Sequence, residues 1–154
     1  MILRVLQVGK TKEGWLKEGI SEYMKRLAPM VRLEVTDIAD VSLKTAGSTD
    51  AVKAREAALC LKRLAPEDFV VLMDERGEAK TSLEFAEFLN NLSSEKSVVF
   101  LIGGVYGAHE SLKTRANACL SLSPLTFTHQ MARLLLVEQI YRALMINNGR
   151  SYHY

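Results

Sequence analysis

Apolar residues fall into two rhythms along the chain. Residues 2–8 (ILRVLQV), 69–73 (FVVLM) and 98–102 (VVFLI) are short, nearly unbroken apolar runs, which predicts strands buried on both faces. Residues 31–38 (VRLEVTDI) alternate with period two, and predict a strand with one wetter face. Between them the spacing turns helical. Trp15, Leu16, Ile20, Tyr23, Met24 and Leu27 mark one helix, closed by Pro29, and an Ala-, Lys- and Arg-rich stretch over 51–64, closed by Pro66, marks a second. Thr81-Ser82-Leu83-Glu84 fits a capping box opening a helix to about Asn91. A short helix over 110–118, a short strand over 119–122 and a long helix from Gln130 to about Ile146 follow. Residues 40–50 have no period and predict a mobile loop, and 74–80 predict a charged loop. Strands alternating with helices predict one α/β domain over 1–154, with a mostly parallel sheet flanked by helices.

The long helix is unusual. Met131, Leu134, Leu135, Leu136, Val137, Ile140, Tyr141, Leu144 and Met145 cover most of its circumference, broken by Gln130, Arg133, Glu138, Gln139 and Arg142. Glu138 and Arg142 stand four apart and can pair. So apolar a helix on a small domain predicts cover beyond one sheet face, and a symmetric homodimer through this helix. Directly before it runs SLSPLTFT (121–128), a loop of hydroxyls and one proline held against a core, as binding loops usually are.

Composition narrows the function classes. With 154 residues, 48% apolar and 25% charged, the chain can bury roughly 70% of its unfolded surface. A formal charge of +2 does not advertise nucleic-acid binding, although a local basic face remains open. No apolar run approaches the ~20 residues of a membrane span, and the first strand is too short for a signal peptide. Cys60 and Cys119 read as free thiols of a reducing cytoplasm. His109, His129 and His153 lack ligand spacing with either cysteine, so no metal site is expected.

Two glycine motifs invite nucleotide readings and fail them. Gly9-Lys10-Thr11 would need a glycine where Arg4 stands, so no triphosphate loop forms; Lys10 and Lys12 read equally as RNA-phosphate contacts or solvated lysines. Gly103-Gly104-x-x-Gly107 follows a strand and precedes a helix, but Ile102 occupies the first glycine position of the dinucleotide fingerprint. The turn still lets a ligand approach bare backbone at a strand's carboxyl end. His129, at the loop exit, reads as a helix cap or a substrate contact. The tail Arg150-Ser151-Tyr152-His153-Tyr154 reads as a frayed end or as a group that stacks on unpaired bases and holds phosphates.

The start LRVLQVGKTKEGW, the turn LIGGVYG, the stretch SLSPLTFTHQMARLLLVEQIYRA and the terminal YH together resemble the bacterial 23S ribosomal RNA (pseudouridine-N3)-methyltransferases, a branch of the SPOUT or trefoil-knotted methyltransferases. The resemblance covers the whole chain. It implies a deep C-terminal knot, a homodimer, S-adenosyl-L-methionine as cofactor, and methylation of N3 of a pseudouridine in a helix-end loop of 23S rRNA on the assembled ribosome. It places cofactor contacts at Met73, Gly103, Leu122, Ser123, Pro124, Leu125, Thr126 and Phe127. It also frames a mechanistic expectation. His129 or His153, with Arg133, would serve the proton loss and catalysis, while Arg133, Arg142, Arg150, Tyr152 and His153 would hold RNA. Met73 stands where leucine is commoner in that family, and Thr128 where proline is common, which would loosen the loop unless Thr128 caps the helix. The alternatives are a SPOUT enzyme acting on transfer RNA and a non-catalytic ribosome-binding module of the same fold.

Overall fold

The computed structural model describes all of residues 1–154. Its element order is β1 (Ile2–Val8), α1 (Gly14–Leu27), β2 (Arg32–Ile38), α2 (Leu43–Ala46), α3 (Thr49–Leu61), β3 (Phe69–Ala79), α4 (Ser82–Asn91), β4 (Ser97–Ile102), α5 (Glu110–Arg115), β5 (Ala118–Ser121) and α6 (His129–Asn147). The five strands form one sheet in the order β2-β1-β4-β3-β5, and every pairing is parallel.

Alternation along the central strands builds two cores. Leu3, Val5, Val71, Val98, Phe100 and Ile102 face α1, α4 and α6, where Leu27, Phe85, Leu89, Leu136, Val137 and Ile140 meet them. Leu6, Val8, Val70, Leu72, Val99 and Leu101 face α3 and α5, against Ala57, Cys60 and Leu112. Strands covered on both faces must be apolar at successive positions, which is why the three apolar runs became the sheet centre. No helix is long and apolar enough to cross a membrane.

Where expectation and structure differ, backbone bonding is the reason. The segment expected as a charged loop over 74–80 continues β3 to Ala79: Leu120 of β5 pairs with Met73 and again with Glu78, and the strand is irregular between them. Its pairing is carried by main chain at Glu78 and Ala79, while Glu75, Arg76 and Glu78 are exposed, so side-chain polarity concealed it. Gly77 lies flat on β5, where an added Cβ would stand 2.7 Å from the Leu120 carbonyl carbon. The expected loop over 40–50 contains the single turn α2 and the start of α3, each capped by a serine (Ser42 and Ser48). Helix α5 stops at Arg115, and β5 begins one residue before the expected strand. The capping box of Thr81 and Glu84 is formed as expected.

The long helix is covered more fully by its own chain than its sequence suggests. It lies on the sheet between α1 and α4, with Leu136, Val137, Ile140 and Ala143 buried. Leu134 packs on Gly19 of α1, and Gln139 accepts a hydrogen bond from Ser82 of α4.

Candidate cofactor and nucleic-acid site

The carboxyl ends of β4 and β5 and the irregular part of β3 after Met73 open into a cleft of about 1230 Å³. Met73, Ile102 and Gly103 form its strand-end floor, and the turn over 104–109 and the loop over 121–128 form its walls. The turn is closed by the Gly107 amide donating to the Gly104 carbonyl at 3.1 Å, with Gly107 in the left-handed region at φ 85°. A Cβ on Gly103 would meet the Gly107 carbonyl carbon at 3.1 Å, so only glycine leaves this backbone bare. Val105 and Tyr106 project from the turn, exposed.

The loop is held by its own hydroxyls. Ser121 Oγ donates to the Ser123 carbonyl at 2.8 Å, and the Leu125 amide donates to Ser123 Oγ at 3.0 Å. Thr126 Oγ1 donates to Glu75 Oε2 at 2.6 Å, which ties the loop to the irregular part of β3. Thr128 accepts from the Met131 amide at 3.2 Å, so it caps α6. Of the expected cofactor contacts, Met73, Gly103, Leu122, Ser123, Leu125, Thr126 and Phe127 all line the cleft; Pro124 sits in the same loop but not on that surface. A second cavity of about 220 Å³ lies behind the loop, walled by Met73, Leu120, Leu122, Phe127 and Leu135 with Lys80 and Gln139.

The cleft's charged lining is acidic. Glu13, Asp50, Asp74, Glu75 and Glu110 outnumber Lys53, Arg76 and Lys113, although the whole chain is cationic. Such a lining favours a cation and repels phosphate.

His129 lines the cleft at the first position of α6. Burial, then the Arg133 and Lys12 cations, hold its pKa below the ordinary imidazole value, while Asp40 acts the other way. His129 is therefore poised as a neutral ring at neutral pH. Arg133 corrects an expectation. It is only 1% exposed, so it is no surface contact for RNA phosphate. Its two terminal nitrogens donate to the Val8 carbonyl at 2.6 Å and to Thr11 Oγ1 at 3.1 Å, and its Nε is buried without a partner.

The tail is docked on its own chain. Tyr152 donates to Glu138 Oε1 at 3.1 Å, and its hydroxyl lies 3.2 Å from that of Tyr23. Its ring meets Tyr141 edge-on at 4.7 Å and sits under the Arg142 guanidinium. Burial, the Tyr23 hydrogen bond and the Glu138 charge all raise the Tyr152 pKa, so the phenol stays protonated. Tyr152 is thus not a free stacking ring here. Arg142 forms the expected pair with Glu138, at 2.7 Å, and approaches His153 Nδ1 at 3.3 Å. Arg142, Arg150, Tyr152 and His153 do not line the cleft of their own chain. The cysteines stay thiols: burial pushes Cys60 to about 11 and raises Cys119 as well.

Sequence reasoning missed Glu75, Gln130, Glu56 and Tyr23. Glu75 lay in the segment taken for a loop, and Gln130 and Tyr23 work through partners more than a hundred positions away. Glu56, 5% exposed, accepts from the Val41 amide at 3.0 Å and abuts Gly104. A glutamate in a Lys- and Arg-rich helix gives no signal that it faces inward.

A family model described as "Predicted SPOUT methyltransferase" matches residues 1–153. The chain is 45% identical over 157 residues to a protein of Geobacter metallireducens named ribosomal RNA large subunit methyltransferase H, covering 100% of this chain and 99% of the relative. It is 42% identical over 156 residues to the protein of that name in Desulfitobacterium hafniense, with 98% of each chain covered. A Methanoregula boonei protein named as a putative member of the same group is 42% identical over 158 residues, with 99% of each chain covered.

Proposed function

The chain belongs to the SPOUT methyltransferase family, whose fold carries a C-terminal trefoil knot, and from that premise we propose that it methylates N3 of a pseudouridine in the large-subunit ribosomal RNA, in the cytoplasm, with S-adenosyl-L-methionine as donor. The observation that carries the reading is the cleft: bare backbone at Gly103, a hydroxyl-locked apolar loop at 121–128 and an acidic lining, at the carboxyl ends of β4 and β5 beside the irregular part of β3. These residues fit the cofactor. Leu122, Leu125, Phe127 and Met73 supply apolar walls for an adenine, main-chain groups of the loop supply its hydrogen bonds, and the acidic lining suits a sulfonium. When bound, the cofactor supplies an electrophilic methyl group.

The protein's own part is positioning and proton removal. Gly103 and the loop fix where the methyl sits. Thr128 and Glu75 fix the loop. His129, kept neutral by burial and its cationic neighbours, accepts the N3 proton as the nucleophile forms. We assign RNA contacts to Arg142, Arg150 and His153 on the docked tail side of α6, and we propose a homodimer that brings this side of one chain to the cleft of the other. The dimer would also set His153 near a cleft it does not reach in its own chain.

The test is transfer of labelled methyl from S-adenosyl-L-methionine to ribosomes, free subunits and naked RNA, with the modified nucleotide mapped. Label on a large-subunit pseudouridine is expected. Label on transfer RNA alone, or cofactor binding without transfer to any RNA, would overturn the reading. Removing residues 151–154 should abolish transfer with cofactor affinity intact; equal loss of both would make the tail structural. Velocity sedimentation at two chains per particle checks the dimer.

A further inference from the structure

Arg142, Arg150 and His153 do not line the acidic cleft of their own chain, whereas the loop between β1 and α1 places two cations beside it within one chain. Residues 9–13 (GKTKE) carry Lys10 and Lys12 on the surface, with Thr11 turned inward. Gln130, at the second position of α6, accepts from the Lys12 amide at 3.1 Å and donates to the Lys10 carbonyl at 3.0 Å. Arg133, one turn on, donates to Thr11 Oγ1 and to the Val8 carbonyl just before the loop. One helix therefore grips this connection through both main chain and side chain, using an arginine that is 1% exposed.

A mere connection between strand and helix does not require that grip. Ordering each loop residue costs backbone entropy, and burying a guanidinium with an unpartnered Nε costs more. The result is a set shape. With Thr11 held by Arg133, its two neighbours Lys10 and Lys12 are the exposed cations of the loop. Two residues beyond the loop, the chain's only tryptophan, Trp15, stands 58% exposed on the rim of the cleft. Lys12 is also close enough to His129 to depress its proton affinity, which puts the loop at the reacting end of the cleft.

We infer that the loop over 9–13, locked in shape by Gln130 and Arg133, is a preformed lip for single-stranded RNA, with Lys10 and Lys12 on neighbouring phosphates and Trp15 stacked on an unpaired base. The inference rests on the proposed RNA-methylating function and specifies how the substrate is held at that site. Arg133 acts here as a positioning residue, not as an RNA contact. The charge pattern favours RNA over other occupants: two outward cations sit beside a surface that is otherwise acidic.

The test begins with wild-type protein saturated with S-adenosyl-L-methionine and mixed with ribosomes. If no methyl transfer occurs, the functional reading itself fails. If transfer occurs, Lys10→Gln, Lys12→Gln and the double variant are measured for ribosome binding across a salt series. Each lysine lost should lower the slope of log affinity against log salt by about 0.7, the value for single strands, with cofactor affinity unchanged. A merely structural loop would not move that slope. Trp15 fluorescence should be quenched when a large-subunit RNA hairpin is added to cofactor-saturated protein, and Trp15→Ala should weaken binding without altering the slope. Thr11→Val, which removes the Arg133 bond with little change of shape, should speed amide exchange over 9–13 and weaken RNA binding. An unchanged slope in the double lysine variant would overturn the inference. So would a fall of that variant's mass to one chain per particle, which would put a second copy on this lip.

Discussion

Replacing Gly77 by alanine tests the least expected feature of the fold, the close approach of β3 to β5. The added Cβ would stand 2.7 Å from the carbonyl carbon of Leu120 and 2.8 Å from both the carbonyl carbon and oxygen of Cys119. Those are main-chain atoms, and they cannot rotate away as a flexible side chain would. Ordinary carbon contacts lie near 3.5–4 Å, so relief requires the two backbones to part by roughly 0.8 Å. Leu120 is bound to β3 on both sides of this point, through Met73 and Glu78, so the movement strains the pairing that holds β5. Overpacking of this kind costs about 1–3 kcal/mol, and with main chain on both sides the upper end applies. For a chain of this size, about 3 kcal/mol lowers Tm by about 6–12 °C. Because β5 runs directly into the loop over 121–128, cofactor affinity should fall together with stability. Scanning calorimetry and isothermal titration with S-adenosyl-L-methionine measure the two effects. A Tm within 2 °C of wild type, with affinity unchanged, would refute the claim that this backbone contact sets the position of β5.

Three further substitutions probe the site's supports. Thr128→Ala removes the α6 cap and should cost about 1 kcal/mol, seen as a Tm lower by about 2–4 °C, whereas Thr128→Asn, which can also cap, should restore most of it. Glu75→Ala releases Thr126 and should weaken cofactor binding about tenfold by titration calorimetry, equivalent to about 1.4 kcal/mol, while Glu75→Gln, still an acceptor, should lose much less. Burial raises the Glu56 pKa above its ordinary value, so its contribution to stability is full below that value and is lost as pH rises through the folded-state pKa. Glu56→Gln keeps an acceptor for the Val41 amide, so it should be more stable than wild type at pH 8 and lose that advantage near pH 4, as read by thermal unfolding at both pH values.

Much of this was legible in the sequence, and the gaps have physical causes. Unbroken apolar runs mark strands covered on both faces, so β1, β3, β4 and the parallel sheet were visible at once. The capping box at Thr81 was visible because its two residues are near neighbours. Glycine at 103 and the hydroxyl loop after β5 marked the cleft because both are local departures from periodicity. The continuation of β3 was concealed, since main-chain pairing at Glu78 and Ala79 leaves no trace in the polar side chains of that segment. Arg133 was misjudged for a related reason. An arginine on a helix reads as surface, and only the fold brings the Val8 carbonyl and Thr11 to its guanidinium, across more than 120 positions. Likewise Tyr152 read as a free ring because Tyr23 lies 129 positions away.

Arg133 and Gln130 also clarify why so apolar a helix carries polar residues near its start. Leu136, Val137, Ile140 and Ala143 seat α6 on the sheet, a task that apolar side chains perform alone. They fix where the helix lies, but not which loops meet its N-terminus. There the loop over 121–128 arrives through Thr128, the loop over 9–13 is gripped through Gln130 and Arg133, and His129 stands at the start of the helix. A methyl donor that is a cation and an RNA backbone that is an anion need opposite surroundings within one site. On the proposed function, an acidic cleft beside a cationic loop would separate the two charges, and the first turn of α6 would hold both in register with the ring proposed to take the proton.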